Sequence, residues 1–502
     1  MEGNEENKQE INQEETQEND SELKGKVVSG VFWRFLERFL AQGIGFIVSI
    51  FLARMLSVED YGAVALILIF VNIADVFLSS GFSIALIRKK KMTEADLSSV
   101  FYLNLGIALV LYAIIFFTAP FIETAFRVEG LSWLLRIIAL KLPVSALNTI
   151  QIAIVTNQMR FKMFFFATLG GTLASAGVGI ALAYAGYGAW ALVAQHLTNL
   201  VIDTIILSVI IRWRPHFIFS KSTIKEMAPF SMRNMGTDLS GQVFNYLNQF
   251  VVGLKYTTED LGYFSKGQQL PNMLNVSIVS TINSVLFPAI SRVSNSAEKV
   301  KKAVRKSVKT LCFILVPMMV GLAVVSEELT LFLYTDKWSG MVIYMQLMCL
   351  TVIFQSIGAF DITALKAIGK TKATLILELI NKPICLGLTV VAMFFGVLPI
   401  AIAATAYSFV ALVVNSVATY KYMHYSFLEK MIDFAYPFVA SAIMGGLVYC
   451  VKFIPLGNTW LLFIEIAVGL LVYFLIAFLT KNKVFLELIA TFKKMFKKQK
   501  AA

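Results

Sequence analysis

The sequence predicts an all-α integral membrane protein of about 14 transmembrane helices, with two parallel-repeat six-helix lobes followed by two C-terminal helices. Hydrophobic residues make up 57% of the 502 residues and charged residues only 15%, and the mean hydropathy is +0.72. A soluble protein of this length is far less apolar. A spanning helix needs roughly 20 apolar residues, and about fourteen such segments follow one another between Val27 and Thr480. A short motif also recurs in both halves of the chain.

The N-terminal lobe is predicted over residues 25–215. An acidic tail over residues 1–24 precedes it, and we expect this tail to be disordered and cytoplasmic because it is polar and free of aromatic residues. No signal peptide pattern precedes the first helix. The six helices of this lobe are predicted near residues 27–54, 61–87, 97–122, 131–156, 161–185 and 187–211.

The C-terminal lobe is predicted over residues 216–425, and residues 426–480 form helices 13 and 14. Residues 481–502 alternate apolar side chains with lysines, which predicts a basic amphipathic tail on the cytoplasmic leaflet. The eight helices of this half are predicted near residues 228–254, 261–290, 305–325, 341–366, 371–395, 399–420, 433–453 and 459–480.

The distribution of basic residues predicts that both termini are cytoplasmic. Cytoplasmic loops are enriched in Lys and Arg, and the loops after even-numbered predicted helices are basic. They contain, among others, Lys89, Arg160, Arg212, Lys302 and Lys430. The net charge of +12 therefore indicates membrane topology and attraction to anionic membrane lipids. Nucleic-acid binding is not expected, because no aromatic platform accompanies the positive charge.

Two short matches indicate an internal duplication. The motif "LSVEDYG" at Leu56–Gly62 is matched by "YTTEDLG" at Tyr256–Gly262, each just after the first helix of a six-helix block. A looser match relates "GYGAWAL" to "GVLPIAI" between the fifth and sixth helices of each block. Because each block has six helices, an even number, both blocks begin on the same side of the membrane. The two lobes would therefore be parallel repeats. Transporters with this symmetry bind their substrate between the halves, so the duplication favours transport.

Helix one carries charges that a lipid-facing helix tolerates poorly. Arg34, Glu37 and Arg38 lie on one side of the helix, and Gln42 continues the row one turn further. A charged residue near the bilayer centre costs about 2.5–3.5 kcal/mol. We expect this row to face an aqueous cavity. The alternative is an interfacial group of charges that extends toward the lipid head groups.

Helix seven, the repeat partner of helix one, carries a longer polar stripe. Its members recur at helical spacing: Asn234, Asp238, Gln242, Asn245 and Gln249. Arg233 lies beside the stripe, and Asn272 and Asn275 continue the pattern on helix eight. We expect these residues to line a water-filled cavity. The alternative is that they hydrogen-bond neighbouring helices to one another.

Basic residues predominate among the other embedded charges, which favours an anionic substrate. The candidate substrate-binding residues are Arg34, Arg38, Arg136, Lys141 and Arg233. Asp75, Asp203 and Asp238 are the candidates for ion coupling, on burial alone. No metal site and no cofactor are expected.

Small residues recur at every fourth position on helix five. They are Gly171, Ser175, Gly179 and Ala183. This spacing predicts close approach to a neighbouring helix.

The sequence resembles the polysaccharide-transport family of the multidrug/oligosaccharidyl-lipid/polysaccharide flippase superfamily, which exports lipopolysaccharide, O-antigen and teichuronic acid repeat units. The resemblance rests on "FWRFLERFLAQG", "LARMLSVEDYG" and "DVFLSSGFSIALIRKK", and it extends over residues 27–420. It implies a flippase in the bacterial cytoplasmic membrane that moves undecaprenyl-diphosphate-linked oligosaccharide by alternating access. It places the family's cavity cations at Arg34 and Arg38, and also at Arg136, Lys141 and Arg233. It further implies a driving proton, sodium or membrane-potential gradient and envelope-polysaccharide assembly proteins as partners.

Three alternatives remain open. A cation-coupled multidrug exporter of the same fold would need a cavity dominated by carboxylates. A peptidoglycan lipid-linked precursor flippase would share the helix count and the basic cavity. An enzyme of envelope assembly would need a large external loop or a surface catalytic group, and the sequence contains no nucleotide-binding or nucleophile motif.

Overall fold

The computed structural model describes residues 33–89, 91–292, 296–454 and 458–490, and no β-strand occurs in these ranges. The predicted all-α membrane fold is confirmed. The helices group into two compact units, divided between Tyr246 and Leu247. The predicted acidic tail over residues 1–24 and the last part of the predicted basic tail lie outside the described residues.

The first unit contains eight complete helices and most of a ninth. They are α1 (Trp33–Met55), α2 (Val58–Ser79), α3 (Phe82–Arg88), α4 (Glu94–Phe126), α5 (Leu131–Ile138), α6 (Lys141–Asn157), α7 (Lys162–Tyr184), α8 (Ala189–Ile211) and α9 (Lys221–Lys255). Predicted helix two is divided into α2 and α3, and predicted helix four into α5 and α6. Local sequence explains where two of these helices begin, since Ser57 and Thr93 form capping boxes with Asp60 and Asp96.

The second unit continues with α10 (Thr258–Arg292), α11 (Ala297–Val324), α12 (Ser326–Tyr334), a 3₁₀ turn (Asp336–Met341), α13 (Val342–Ala367), α14 (Thr371–Ala392), α15 (Val397–Met423), α16 (Phe427–Val451) and α17 (Asn458–Leu479). A last helix, α18, covers residues 483–490. Ser426 caps α16 and Glu429 completes its capping box. The start of α16 therefore depends on the sequence "SFLE".

Twelve helices or helix pairs in the described ranges are long and apolar enough to span a membrane. The two long helices α9 and α10, of 35 residues each, lie where predicted helices seven and eight were expected. They are not among the twelve, because polar side chains lower their hydropathy. The count of fourteen spans stays a prediction.

The packing of α7 against α8 positions one polar face of the first unit. The small residues of α7 are buried, which confirms the prediction from their spacing: Gly171, Ser175, Gly179 and Ala183. A Cβ at Gly171 would lie 2.8 Å from the carbonyl oxygen of Asn199, and one at Gly179 would lie 3.2 Å from Cβ of Gln195. Gln195 and Asn199 of α8 are thus held against α7 by close helix contact.

Candidate functional site

The first polar group lies at the start of α1. The Arg34 guanidinium donates from Nη1 to Glu37 Oε2 at 3.1 Å, and the two side chains are 38% and 10% exposed. The Arg34 guanidinium carbon also lies 4.8 Å from the centre of the Phe164 ring on α7, within cation–π range. The predicted neighbours Arg38 and Gln42 are exposed on α1. Arg34 is therefore oriented by an acid on its own helix and an aromatic ring on another.

A second polar group joins α2, α6 and α8. The Ser145 hydroxyl donates to Asp75 Oδ1 at 2.6 Å. Lys141, at the first turn of α6, interacts electrostatically with both Asp75 and His196. Two of the predicted site residues, Lys141 and Asp75, are therefore brought together. Lys141 begins α6 directly after the turn that separates this helix from α5.

Asp203 forms a third polar group, between α6 and α8. Asn148 donates to Asp203 Oδ2 at 3.0 Å and to Thr204 Oγ1 at 3.0 Å. The remaining carboxylate oxygen, Oδ1, is buried without a hydrogen-bond partner among the described residues. Glu37 also acts on Asp203 electrostatically. Asp203 thus lies close enough to the α1 charges to interact with them, while its contacts hold α6 to α8.

Arg136 contacts a different part of the first unit. Its Nε donates to the carbonyl oxygen of Phe116 on α4 at 3.1 Å. The guanidinium carbon lies 4.4 Å from the Phe116 ring centre and 5.0 Å from that of Trp133. These contacts do not bring Arg136 together with Arg34 or Lys141. Its assignment to the substrate site stays a prediction.

The middle of α9 carries the predicted polar stripe on one continuous helix. Asn234 donates to the Ser80 carbonyl oxygen at 2.7 Å and to Asp238 Oδ2 at 3.3 Å. Asn245 donates to Gln242 Oε1 at 3.2 Å. Arg233 is exposed, and its Nε donates to the Pro229 carbonyl oxygen at 3.1 Å. These bonds lie mainly within α9, and the bond to Ser80 connects α9 to the end of α2.

The stripe residues of the second unit hydrogen-bond neighbouring helices. Gln249 on α9 donates to Gln268 Oε1 on α10 at 3.3 Å. Asn275 on α10 accepts a hydrogen bond of 2.6 Å from Ser356 on α13, while Asn272 is half-buried. At Gln249 and Asn275, the bonds are those expected of the interhelical alternative.

Sequence reasoning missed the most deeply buried ion pair among the described residues. Lys430 was assigned to an inner loop, but in the structure it lies on α16, and both it and Asp361 of α13 are 0% exposed. The Lys430 ammonium donates to Asp361 Oδ2 at 2.7 Å, to Ser416 at 2.9 Å and to Thr419 at 2.8 Å. A carboxylate inside the apolar α13 segment is the signal that could have revealed the pair.

A second ionic group next to this pair joins α11 to α16. Arg305 donates to both oxygens of Asp433, at 2.6 and 2.8 Å, in a two-pronged bond. Lys301 bonds Glu429 at 2.7 Å. Tyr425, between α15 and α16, also donates to Asp433, and burial together with that carboxylate raises the pKa of Tyr425. Two basic residues of α11, Lys301 and Arg305, are thus paired with acids of α16.

The arrangement in the first unit can bind an anion. A guanidinium presents five N–H donors in a planar fork, and the bond to Glu37 engages only Nη1 of Arg34. The rest of that fork is a donor set that suits phosphate oxygens. Lys141 supplies a second cation, with Asp75 to balance it. No group of His, Cys, Asp and Glu suited to a metal ion occurs among the described residues.

Sequence comparison relates the chain to proteins of polysaccharide biosynthesis. The succinoglycan biosynthesis transport protein ExoT of Rhizobium meliloti is 26% identical over 313 residues, which are 62% of this chain and 63% of that protein. The lipopolysaccharide biosynthesis protein WzxC of Escherichia coli is 23% identical over 67% of this chain and 69% of its own. The teichuronic acid biosynthesis protein TuaB of Bacillus subtilis is 20% identical over 62% and 65%. The match thus spans less than two thirds of ExoT and TuaB.

Structural comparison shows a transporter fold. The lipid II flippase MurJ superposes with a TM-score of 0.74 at 17% identity, over 90% of this chain and 99% of that one. A multidrug resistance MATE family transporter gives 0.60 at 16% identity, over 76% and 94%. Of these proteins, ExoT is named as a transport protein, MurJ as a flippase and the MATE protein as a transporter. A family model described as "Polysaccharide biosynthesis protein" matches residues 51–343, so the resemblance seen in the sequence is confirmed and the chain belongs to this polysaccharide biosynthesis family.

Proposed function

We propose that this protein is a flippase that translocates undecaprenyl-diphosphate-linked oligosaccharide repeat units across the bacterial cytoplasmic membrane. It would act by alternating access through a cationic cavity, in the biosynthesis of cell-envelope polysaccharide. Family membership and the named relatives support transport of a polysaccharide precursor. The observation that carries the proposal is Arg34, a partly exposed guanidinium oriented by Glu37 and Phe164.

Arg34 would bind the diphosphate through the donors that Glu37 leaves unused. Arg38, one turn further along α1, would add a second positive charge, and Lys141 a third. The polar residues of α9 would solvate the sugars, since hydroxyl groups pair well with amides. Arg136 and Arg233 are weaker candidates, because their guanidinium groups bond backbone carbonyl oxygens.

Asp75 and Asp203 are the proposed sites of ion coupling, with a proton or sodium as the coupling ion. Asp203 keeps one buried oxygen without a partner among the described residues, which is a position where a proton or a cation would be stabilised. Asp238 on α9 is the third candidate, and Asn234 already donates to it.

The direct test is lipid flipping in vesicles. The full-length protein is reconstituted with a fluorescent undecaprenyl-diphosphate oligosaccharide, and head-group exposure is followed by quenching from outside. We expect Arg34→Ala to slow flipping about tenfold or more, because a charge-assisted hydrogen bond contributes about 1.5–3 kcal/mol. Arg54→Ala is the matched control, because Arg54 is exposed on the same helix and its replacement removes the same charge.

Equal flipping by Arg34→Ala and the wild type would remove Arg34 from the substrate site. Two further substrates separate the alternatives. Preference for the lipid-linked peptidoglycan precursor over polysaccharide repeat units would favour a peptidoglycan precursor flippase. Export of organic cations, without flipping of any polyprenyl-linked sugar, would favour a multidrug exporter.

A further inference from the structure

The first unit contains a cavity that the proposed transport site does not use. It has a volume of about 400 Å³ and lies where α6 and α8 end and α4 begins. Three arginines line it, namely Arg160, Arg212 and Arg214. Within the described ranges none of the three side chains forms a hydrogen bond or an ion pair. Three unpaired guanidinium groups around one cavity favour an anionic ligand.

The chain is bent sharply at both segments that supply these arginines. Met159 and Arg212 adopt the left-handed conformation, with φ of 55° and 58°, and neither is a glycine. Non-glycine residues adopt this conformation less often than glycine, and here each follows the end of a helix, where left-handed residues commonly terminate helices. The bend at Arg212 ends α8 and begins the linker over residues 212–220.

The linker is held firmly on the start of α4. Trp213 Nε1 donates to Glu94 Oε2 at 2.9 Å, and the same carboxylate lies 3.5 Å from His216 Nδ1. The backbone N–H of His216 donates to Ser98 Oγ at 3.0 Å, and that of Ser220 donates to Ser99 Oγ at 2.7 Å. Glu94 is the one acid of the cavity lining, and it is engaged by the linker, so the arginines are left to a ligand.

Large apolar side chains of the same linker are exposed. Phe217 is 99% exposed, Ile218 45% and Phe219 52%. The Phe217 ring stacks on Tyr102 with 6.1 Å between ring centres. Exposed apolar groups beside a positive cavity, at the level where helices end, are typical of the membrane interface, where aromatic side chains are enriched. A soluble anion would use the arginines but not these apolar groups.

We propose that this cavity binds the head group of an anionic phospholipid of the predicted cytoplasmic leaflet. The arginines would hold the phosphate, the apolar wall formed by Leu97, Ile154 and Ile211 would contact the glycerol backbone, and Phe217 and Phe219 would lie among the acyl chains. A lipid bound here fixes the linker that connects α8 to α9. The proposal does not depend on which substrate the protein transports.

The test uses the full-length protein in nanodiscs of phosphatidylcholine with a minor fraction of phosphatidylglycerol. Native mass spectrometry measures how many phosphatidylglycerol molecules remain bound to the protein after the protein is released from the nanodisc. The combined variant Arg160→Gln, Arg212→Gln and Arg214→Gln should lower retention about tenfold or more. The matched control Lys221→Ala, Lys225→Ala and Lys372→Ala removes three exposed charges outside the cavity and should retain phosphatidylglycerol like the wild type.

A second variant distinguishes loss of the lipid site from misfolding. Replacement of the three arginines by lysine keeps the charge, so phosphatidylglycerol should still be retained, more weakly than by the wild type because the fork is lost. Equal retention by the glutamine variant and the wild type would overturn the proposal. Glycerol 3-phosphate is added as a soluble competitor at concentrations no higher than that of phosphatidylglycerol. If it displaces the bound lipid, the cavity is a site for soluble phosphate and the lipid assignment is overturned.

Discussion

Among single residues, Lys430 is expected to have a large effect on stability. Its ammonium has no exposed surface and depends on Asp361, Ser416 and Thr419 for every hydrogen bond recorded. Removal of one partner from a buried ion pair typically costs about 3–5 kcal/mol, because the other charge stays buried and uncompensated. Lys430 therefore stabilises the second unit through three helices, α13, α15 and α16.

We expect Lys430→Met to lower the unfolding temperature of the detergent-solubilised protein by several degrees. The double variant Asp361→Asn, Lys430→Met should recover much of the loss, because no charge is then left unpaired. Lys372→Met, at an exposed position on α14, is the control and should unfold like the wild type. Unfolding of Lys430→Met at the wild-type temperature would show that the pair contributes nothing to stability.

The difference between Arg34 and Lys430 shows what sequence can reveal about single residues. Arg34 was predicted as a site residue because its charge interrupts an apolar run close to Glu37, and the two side chains do bond. Lys430 follows the loop after α15 and lies in the first turn of α16. A count of basic residues near loops cannot distinguish such a buried lysine from an exposed one. Its partner Asp361 is 69 positions away, a separation that no local pattern records.

Among elements, the contact of α7 with α8 depends on one glycine more than on the others. A Cβ at Gly171 would lie 2.8 Å from a backbone oxygen and 3.4 Å from the backbone nitrogen of Asp203. Backbone atoms cannot move aside as the end of a side chain can. Gly177 on the same helix has nothing within 4 Å, so the two glycines form a matched pair.

We expect Gly171→Ala to lower the unfolding temperature and Gly177→Ala to leave it unchanged or raise it. The reason for the second outcome is that alanine favours a helix over glycine by about 1 kcal/mol. Both variants are measured side by side in the same detergent, with flipping in vesicles as a second readout. An equal loss in both would indicate that helix propensity, and not the α7–α8 contact, controls stability there.

The elements were predicted well where apolar runs are long and less well where they are interrupted. Residues 61–87 were expected as one helix, whereas the structure has α2 and α3 with a turn at Ser80 and Gly81. Residues 131–156 were likewise divided. Ser79, Ser80 and Gly81 interrupt the first run, and Arg136 and Lys141 flank the second turn. These interruptions are too short to divide a predicted span of about 20 residues. The bonding partners of the α9 stripe also depend on tertiary packing, which periodicity does not report.

On the scale of the whole molecule, the predicted orientation in the membrane can be tested directly. Cys450 is exposed, and the other three cysteines are buried. The variant Cys450→Ser should therefore react little with a maleimide and serves as the parent for single-cysteine variants. Lys221→Cys should then react with an impermeant maleimide only after cells are opened, because both termini and this segment are predicted to be cytoplasmic. Ser339→Cys, which is exposed beyond α12, should react in intact cells. The reverse pattern would invert the orientation.

The buried pair also has a consequence for synthesis of the chain. The ribosome completes α13, with Asp361, long before it reaches Lys430 on α16, so a nascent chain carries a carboxylate inside an apolar helix with no counter-ion. An intramembrane aspartate alone costs about 2.5–3.5 kcal/mol on insertion scales. We expect α13 to stay loosely inserted until α16 arrives, and chains that stop before residue 426 to be recognised and degraded by membrane proteases.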